Sequence, residues 1–161
     1  MEKDDINVMI SNNIFTCRVA ALIEKNGKIL FQKRKNDLVW ALPGGKIRIL
    51  EKLEDGVRRE IFEELGIGIK NLKMVSVTEN FFNDKERKVH QYIFTYKCDL
   101  ESDKYDDKIE FDSIEEKEEN KKVIYRWIEK SKLDDFEIRP DNIKEQLEKV
   151  EKGEMSFYEC E

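Results

Sequence analysis

The stretch from Gly44 to Ile67, GGKIRILEKLEDGVRREIFEELGI, constrains the chain most. Leu53, Val57, Ile61 and Leu65 recur every four residues, the period of a helix that buries one stripe. The same segment carries Glu60, Glu63 and Glu64 at i, i+3 and i+4, which puts three carboxylates on one helical face. Like charges so placed cost an isolated helix roughly 0.2–0.5 kcal/mol per pair. A hard divalent cation is the natural counter-charge, so an apolar stripe facing a core and an acidic stripe facing outward read as a metal site on a rigid element. Arg59, one residue before Glu60 and four before Glu63, is placed to orient the cluster. Gly66 ends the helix, being able to take up left-handed φ without strain.

The helix should begin near Lys52 or Leu53, after a loop over residues 46–51. No Ser, Thr, Asp or Asn stands at the expected N-cap. Gly56 occupies a mid-helix position, where glycine costs roughly 0.5–1 kcal/mol relative to alanine. It lies one turn before Glu60 and reads either as room for a ligand or as tolerated drift. Upstream, Trp40-Ala41-Leu42-Pro43-Gly44-Gly45 is a breaker cluster. Its two glycines let backbone approach closely and expose N–H groups, which suits phosphate near a helix start.

Gly45, five residues, Glu51, seven residues, Arg59-Glu60-Ile61, one residue, Glu63-Glu64, one residue, Gly66-Ile67 reproduces the 23-residue signature of the Nudix hydrolases. The chain resembles that family at every fixed position, and Trp-x-x-Pro-Gly-Gly is a common prelude there. The resemblance implies an α+β fold, an α-β-α sandwich with a mixed β-sheet flanked by helices. It also implies hydrolysis of a nucleoside diphosphate linked to another moiety, giving a nucleoside monophosphate and a phosphorylated remainder. By the same resemblance Glu60, Glu63 and Glu64 are metal ligands, Gly45 is a backbone ligand or tight-turn residue, and Glu51 and Arg59 form a supporting ion pair.

Oxygen-only ligation suits Mg²⁺ or Mn²⁺ rather than zinc. The general base stays open between a box glutamate, Glu60 or Glu64, and the downstream Glu115, Glu116, Glu118 and Glu119. Arg34, at the basic end of a strand, and Arg18 are the candidate phosphate contacts, with Gly44 and Gly45. The substrate is left open: ADP-ribose or a nucleotide sugar first, then nucleoside triphosphates and dinucleoside polyphosphates. A rival reading is a Nudix-fold module that senses a nucleotide without cleaving it. Such modules typically lose box glutamates, and this chain keeps all of them.

The rest of the chain supplies the scaffold. At 161 residues it has the length of one domain, and 39% hydrophobic and 10% aromatic content argues for a packed core rather than disorder. A net charge of −6 gives no footprint for duplex nucleic acid or an anionic membrane. Cys17, Cys98 and Cys160 are odd in number and widely spaced, implying neither a disulfide framework nor a zinc site. No apolar run reaches membrane-spanning length, and MEKDDINVMI is too acidic for a signal peptide, so a cytoplasmic location is expected. Oligomeric state is open, a homodimer included.

Residues 1–13 read as a tail or an edge strand. Phe15–Ile23 suits a buried strand, and Asn26-Gly27 marks a hairpin into a strand over Lys28–Arg34. Leu72–Asn80 and Gln91–Leu100 read as strands around a polar turn. His90, the only histidine, stands at a strand start and reads first as structural. Phe15, Phe81, Phe82 and Tyr92 are the aromatics on which base recognition would rest. Residues 101–122 read as a long loop, ordered beside the site or flexible. Val123–Ile128 is another strand, Ser131-Lys132-Leu133-Asp134 resembles a capping box opening a short helix, and Asp141 should cap a last helix carrying Ile143, Leu147 and Val150.

Overall fold

The computed structural model describes residues 4–161. Strand β1 (Asn7–Ile10) turns directly into β2 (Asn13–Lys25), so the N-terminal segment takes the edge-strand form for its described residues. Asn26 and Gly27, both at positive φ (52° and 75°), make the tight turn into β3 (Lys28–Arg34). Strand β4 (Gly44–Lys46) pairs antiparallel with β2 through Arg18, Val19 and Ala20. Helix α1 spans Leu53–Leu65, then β5 (Ile69–Asp84) and β6 (Arg87–Leu100) form a long hairpin. This hairpin runs past the bounds its central residues indicate on both sides, leaving only Lys85 and Glu86 as the turn.

Strands β7 (Glu110–Asp112) and β8 (Val123–Glu129), helix α2 (Ile143–Glu151) and β9 (Ser156–Cys160) complete the order. The sheet runs β7-β8-β3-β2-β6-β5-β9, with β1 and β4 also on β2. It is mixed: β2 lies parallel to β6 and β5 parallel to β9, while the other pairs are antiparallel.

Strand β2 shows why the fold has three layers. Val19, Ala21 and Ile23 pack in one core with Val57, Ile61 and Leu65 of α1. Ala20 and Leu22, the alternate residues, pack in a second core with Ile143 and Leu147 of α2. A strand covered on both faces reads as one apolar run. The architecture is therefore an α/β/α sandwich, as the resemblance implies. Cys17, Cys98 and Cys160 are free thiols, and among the described residues no helix is long and apolar enough to cross a membrane.

Two local expectations differ, and an open one is resolved. The Ser131 box does not cap: Lys130–Asp135 is a 3₁₀ segment that follows Glu129 without a side-chain cap. Asn142, not Asp141, precedes α2, and Asp141 instead pairs with Arg139. The Asn142 side chain accepts a bond from Gln146 Nε2 (2.8 Å), an alternative that satisfies the side chain rather than the helix N–H groups. Residues 101–122 take the ordered form. Tyr105 and Phe111 are buried and stacked at 4.2 Å, and Trp127 Nε1 donates to the Tyr105 carbonyl (3.1 Å).

Candidate functional site

Helix α1 starts at Leu53 without a side-chain cap and ends at Gly66 (φ 69°), whose N–H reaches the Phe62 carbonyl. Its last carbonyls, which have no partner inside a helix, are taken up from the 101–122 loop. Tyr105 Oη donates to the Leu65 carbonyl (2.8 Å), and Ser113 Oγ and the Ile114 N–H donate to that of Glu64 (2.9 and 2.8 Å). The loop thus fixes the end of the helix that carries the acidic residues.

The acidic face does not look out to open solvent, as its spacing alone would have it; it lies against the 44–51 segment. Gly45 sits directly under the Glu60 carboxylate, in space a Cβ would overlap. Gly56 serves packing rather than ligand entry. A Cβ there would run into the Ile47 side chain, which is buried, and come within 3.2 Å of Glu51 Oε2. Glycine is what lets the loop close onto the helix.

Arg59 organises this closure. Its Nε and Nη2 form a two-pronged bond to Glu51 (2.6 and 2.9 Å), and Nη2 also reaches the Lys46 carbonyl (3.0 Å). Its Nη1 donates to Glu60 (2.7 Å) and Glu63 (3.4 Å), so two carboxylates converge on one positive nitrogen. Paired bonds of this kind are strong and directional. They hold the Glu51 carboxyl below its ordinary value and the guanidinium well above its own. Burial wins at Glu60, whose carboxyl is pushed up despite Arg59.

Arg48 was not singled out from the sequence. Its guanidinium approaches Glu63 (3.5 Å) and its N–H donates to Glu51 Oε2 (2.9 Å). A cation on the loop three residues before Glu51 is the signal that was available.

Glu64 shares the helical face but points into the fold, 4% exposed. Tyr125 Oη donates to its Oε2. A phenol has one proton to give, so the Gln32 amide satisfies its surroundings with nitrogen toward Tyr125 Oη (2.9 Å) and Glu64 Oε2 (3.0 Å) and oxygen toward Arg18 Nη2 (2.9 Å). Burial, reinforced by the Glu60 carboxylate, pushes the Glu64 carboxyl up to about 8.

Arg18 is thereby brought to the carboxylates, acting on both Glu64 and Glu60. Arg34 is exposed at the end of β3, close enough to Arg18 to oppose its charge. Of the downstream glutamates, Glu115 acts on Glu64 and pairs with Lys117 (3.1 Å). Glu119 is drawn to Lys35 and Lys122, Glu118 to Lys121, and Glu116 is exposed.

His90 on β6 clusters with Tyr92 of the same strand, Phe15 of β2 and Phe81 of β5, its ring stacked on Phe81 at 4.5 Å. Its Nε2 and Tyr92 Oη share Glu79 Oε2. These aromatics line or adjoin a cavity of about 740 Å³ at the far end of β2, away from α1.

Among the described residues no three His, Cys, Asp or Glu side chains are gathered as a preformed metal cage. The donor set nevertheless fits a hard cation. Glu60 and Glu63 already surround a positive nitrogen, and the lack of a side chain at Gly45 brings its backbone against the Glu60 carboxylate.

The NUDIX domain family model matches residues 16–150. An RNA pyrophosphohydrolase from Hamiltonella defensa is 33% identical over 78 residues, 48% of each chain. The chain spans about half the length of the curated relatives it matches. Two solved structures share the fold. The mutator MutT protein of Bacillus halodurans has a TM-score of 0.65 at 17% identity, covering 88% of this chain and 86% of that one. An ADP-ribose pyrophosphatase from Streptococcus suis has a TM-score of 0.55 at 21% identity, covering 89% and 98%. With the family model spanning most of its length and the signature residues meeting around Arg59, the chain belongs to the Nudix family.

Proposed function

We propose that the protein is a Mg²⁺-dependent pyrophosphohydrolase that cleaves a nucleoside diphosphate linked to another moiety, of the ADP-ribose or nucleotide-sugar type. The observation that carries this is the Arg59 hub, which gathers Glu51, Glu60 and Glu63 of the signature at one point beside Gly45. Glu60, Glu63 and Glu64, with the Gly45 backbone, would hold Mg²⁺ or Mn²⁺. When bound, such an ion spreads the charge that develops on the two phosphates and acidifies a water.

The chain's own groups do the rest. Arg59 locks the 46–51 loop to the helix, so the carboxylates keep their spacing. Arg18, and Arg34 beside it, supply positive charge for the phosphates. A carboxylate not engaged by the ion would take the proton of the attacking water, either a helix glutamate (Glu60 or Glu64) or one of Glu115, Glu116, Glu118 and Glu119, of which Glu115 is the one whose charge reaches Glu64.

A second reading is removal of pyrophosphate from an RNA 5′ end. The curated relatives named RNA pyrophosphohydrolase favour it, and the net charge of −6 counts against a long nucleic-acid contact. Phosphate release coupled to a phosphatase, with Mg²⁺ and with EDTA, decides between them. The panel holds ADP-ribose, nucleotide sugars, nucleoside triphosphates, diadenosine polyphosphates and a 5′-triphosphate oligoribonucleotide. Mg²⁺-dependent turnover of ADP-ribose or nucleotide sugars is the expected result. Turnover of the oligoribonucleotide alone would replace the substrate class. Silence with thermal stabilisation by one ligand would make the chain a binding module.

A further inference from the structure

We propose that Tyr125 is a positioning residue for Glu64, presenting that carboxyl to the cation through a single oxygen. This rests on the metal-site reading above.

Two side chains from outside the signature converge on one atom. Tyr125 Oη, from β8, donates to Glu64 Oε2, and the Gln32 amide nitrogen, from β3, reaches the same oxygen at 3.0 Å. No donor among the described residues reaches Oε1. The two oxygens are thus made inequivalent: one is tied to the sheet and the other is left for a ligand.

The tie is rigid. Tyr125 is fully buried, and its ring stacks on Phe111 at 5.6 Å, which in turn stacks on Tyr105. Gln32 is 8% exposed, and its amide oxygen is anchored by Arg18 Nη2 (2.9 Å). Ser113 Oγ and the Ile114 N–H pin the backbone carbonyl of the same glutamate. Glu64 is therefore fixed at both ends, by β3 and β8 at its carboxyl and by the 113–114 turn at its backbone. Fixing the orientation of a ligand carboxylate by outer donors is worth roughly 10–100-fold in metal affinity. Nothing in the signature spacing names Tyr125 or Gln32, because the contacts cross from the helix to strands 61 and 32 residues away.

The test is equilibrium binding of Mn²⁺ alone, followed by the electron paramagnetic resonance of the free ion, without nucleotide. Wild type, Tyr125→Phe, Gln32→Leu and Glu64→Gln are compared, with the metal-free melting temperature of each as a control. Phenylalanine keeps the ring in its stack, so Tyr125→Phe should melt within a few degrees of wild type. Its Mn²⁺ affinity should fall roughly tenfold, and Gln32→Leu should weaken binding in the same direction. Either variant binding Mn²⁺ as tightly as wild type, or more tightly, overturns the proposal. Tighter binding would mean that Tyr125 withholds Glu64 from the ion. If wild type binds no Mn²⁺, or Glu64→Gln leaves binding unchanged, the metal-site reading itself falls, which is a distinct outcome.

Discussion

Replacing Arg59 by lysine keeps the positive charge and removes the fork. In wild type the guanidinium makes two bonds to Glu51 (2.6 and 2.9 Å), one to Glu60 (2.7 Å) and one to the Lys46 carbonyl (3.0 Å). Side-chain exposures of 14–16% at Arg59, Glu51 and Glu60 mean that water replaces little of what is lost. Hydrogen bonds to charged groups contribute about 1.5–3 kcal/mol each. An ammonium can recover one carboxylate contact but not the planar pair. Arg59→Lys should therefore cost about 2 kcal/mol. Arg59→Ala strips Glu51 and Glu60 of their guanidinium partner and should cost about 3 kcal/mol, near the lower bound for breaking a buried pair. For a domain with roughly 5–15 kcal/mol in total, both shifts are large. Urea denaturation in EDTA at pH 7 measures them as a fall in midpoint at constant slope. A lysine variant within about 0.5 kcal/mol of wild type would show that charge alone, and not the planar fork, holds the loop to the helix.

Two further outcomes follow from the same geometry. The Glu64 carboxyl titrates near 8 in the fold against an ordinary 4.5, so the native state binds this proton more tightly than the unfolded chain. Its contribution to stability is complete below pH 4.5 and is lost as pH rises through about 8. Without metal, Glu64→Gln should flatten that decline; wild-type and variant urea midpoints that stay parallel from pH 5 to 8.5 would contradict the assignment. Gly56→Ala gains helix propensity, about 1 kcal/mol, but drives a methyl into the buried Ile47 side chain, an overpacking cost of about 1–3 kcal/mol. A net loss of about 1 kcal/mol is expected, and a net gain would show the glycine to be tolerated drift.

Much of this was legible in the chain because it is local. The four-residue repeat of Leu53, Val57, Ile61 and Leu65 gives α1, and Asn26-Gly27 gives the hairpin turn. Both depend on residues within one turn of each other. Family membership is legible for the same reason, since it lies in the fixed spacing of a 23-residue stretch, and the NUDIX domain model matches residues 16–150.

What stayed hidden crosses the fold. That Glu64 turns inward depends on Tyr125 and Gln32, and that Gly56 makes room depends on Ile47. The β5–β6 hairpin runs on through polar residues such as Asn83 and Lys88 because they pair with each other across the two strands, a contact that no single-strand pattern displays. Strand β9 carried no signal of its own, since its alternation over five residues gains meaning only beside β5. The expected cap at Asp141 failed for a related reason, since its carboxylate pairs with Arg139 instead, and the segment at Ser131 starts after Glu129 with no side-chain cap.

In the proposed function the glutamates organised by Arg59 form a divalent-cation site for diphosphate hydrolysis. Its most direct test is the initial rate of the best panel substrate as a function of Mg²⁺ concentration, for wild type and for Glu63→Gln. Glu63 is part-exposed, so the variant should keep its fold and circular dichroism. Saturable dependence on Mg²⁺ is expected in wild type, and a loss of about a hundredfold or more in the variant. Equal rates in the two proteins, or a wild-type rate indifferent to EDTA, would contradict it.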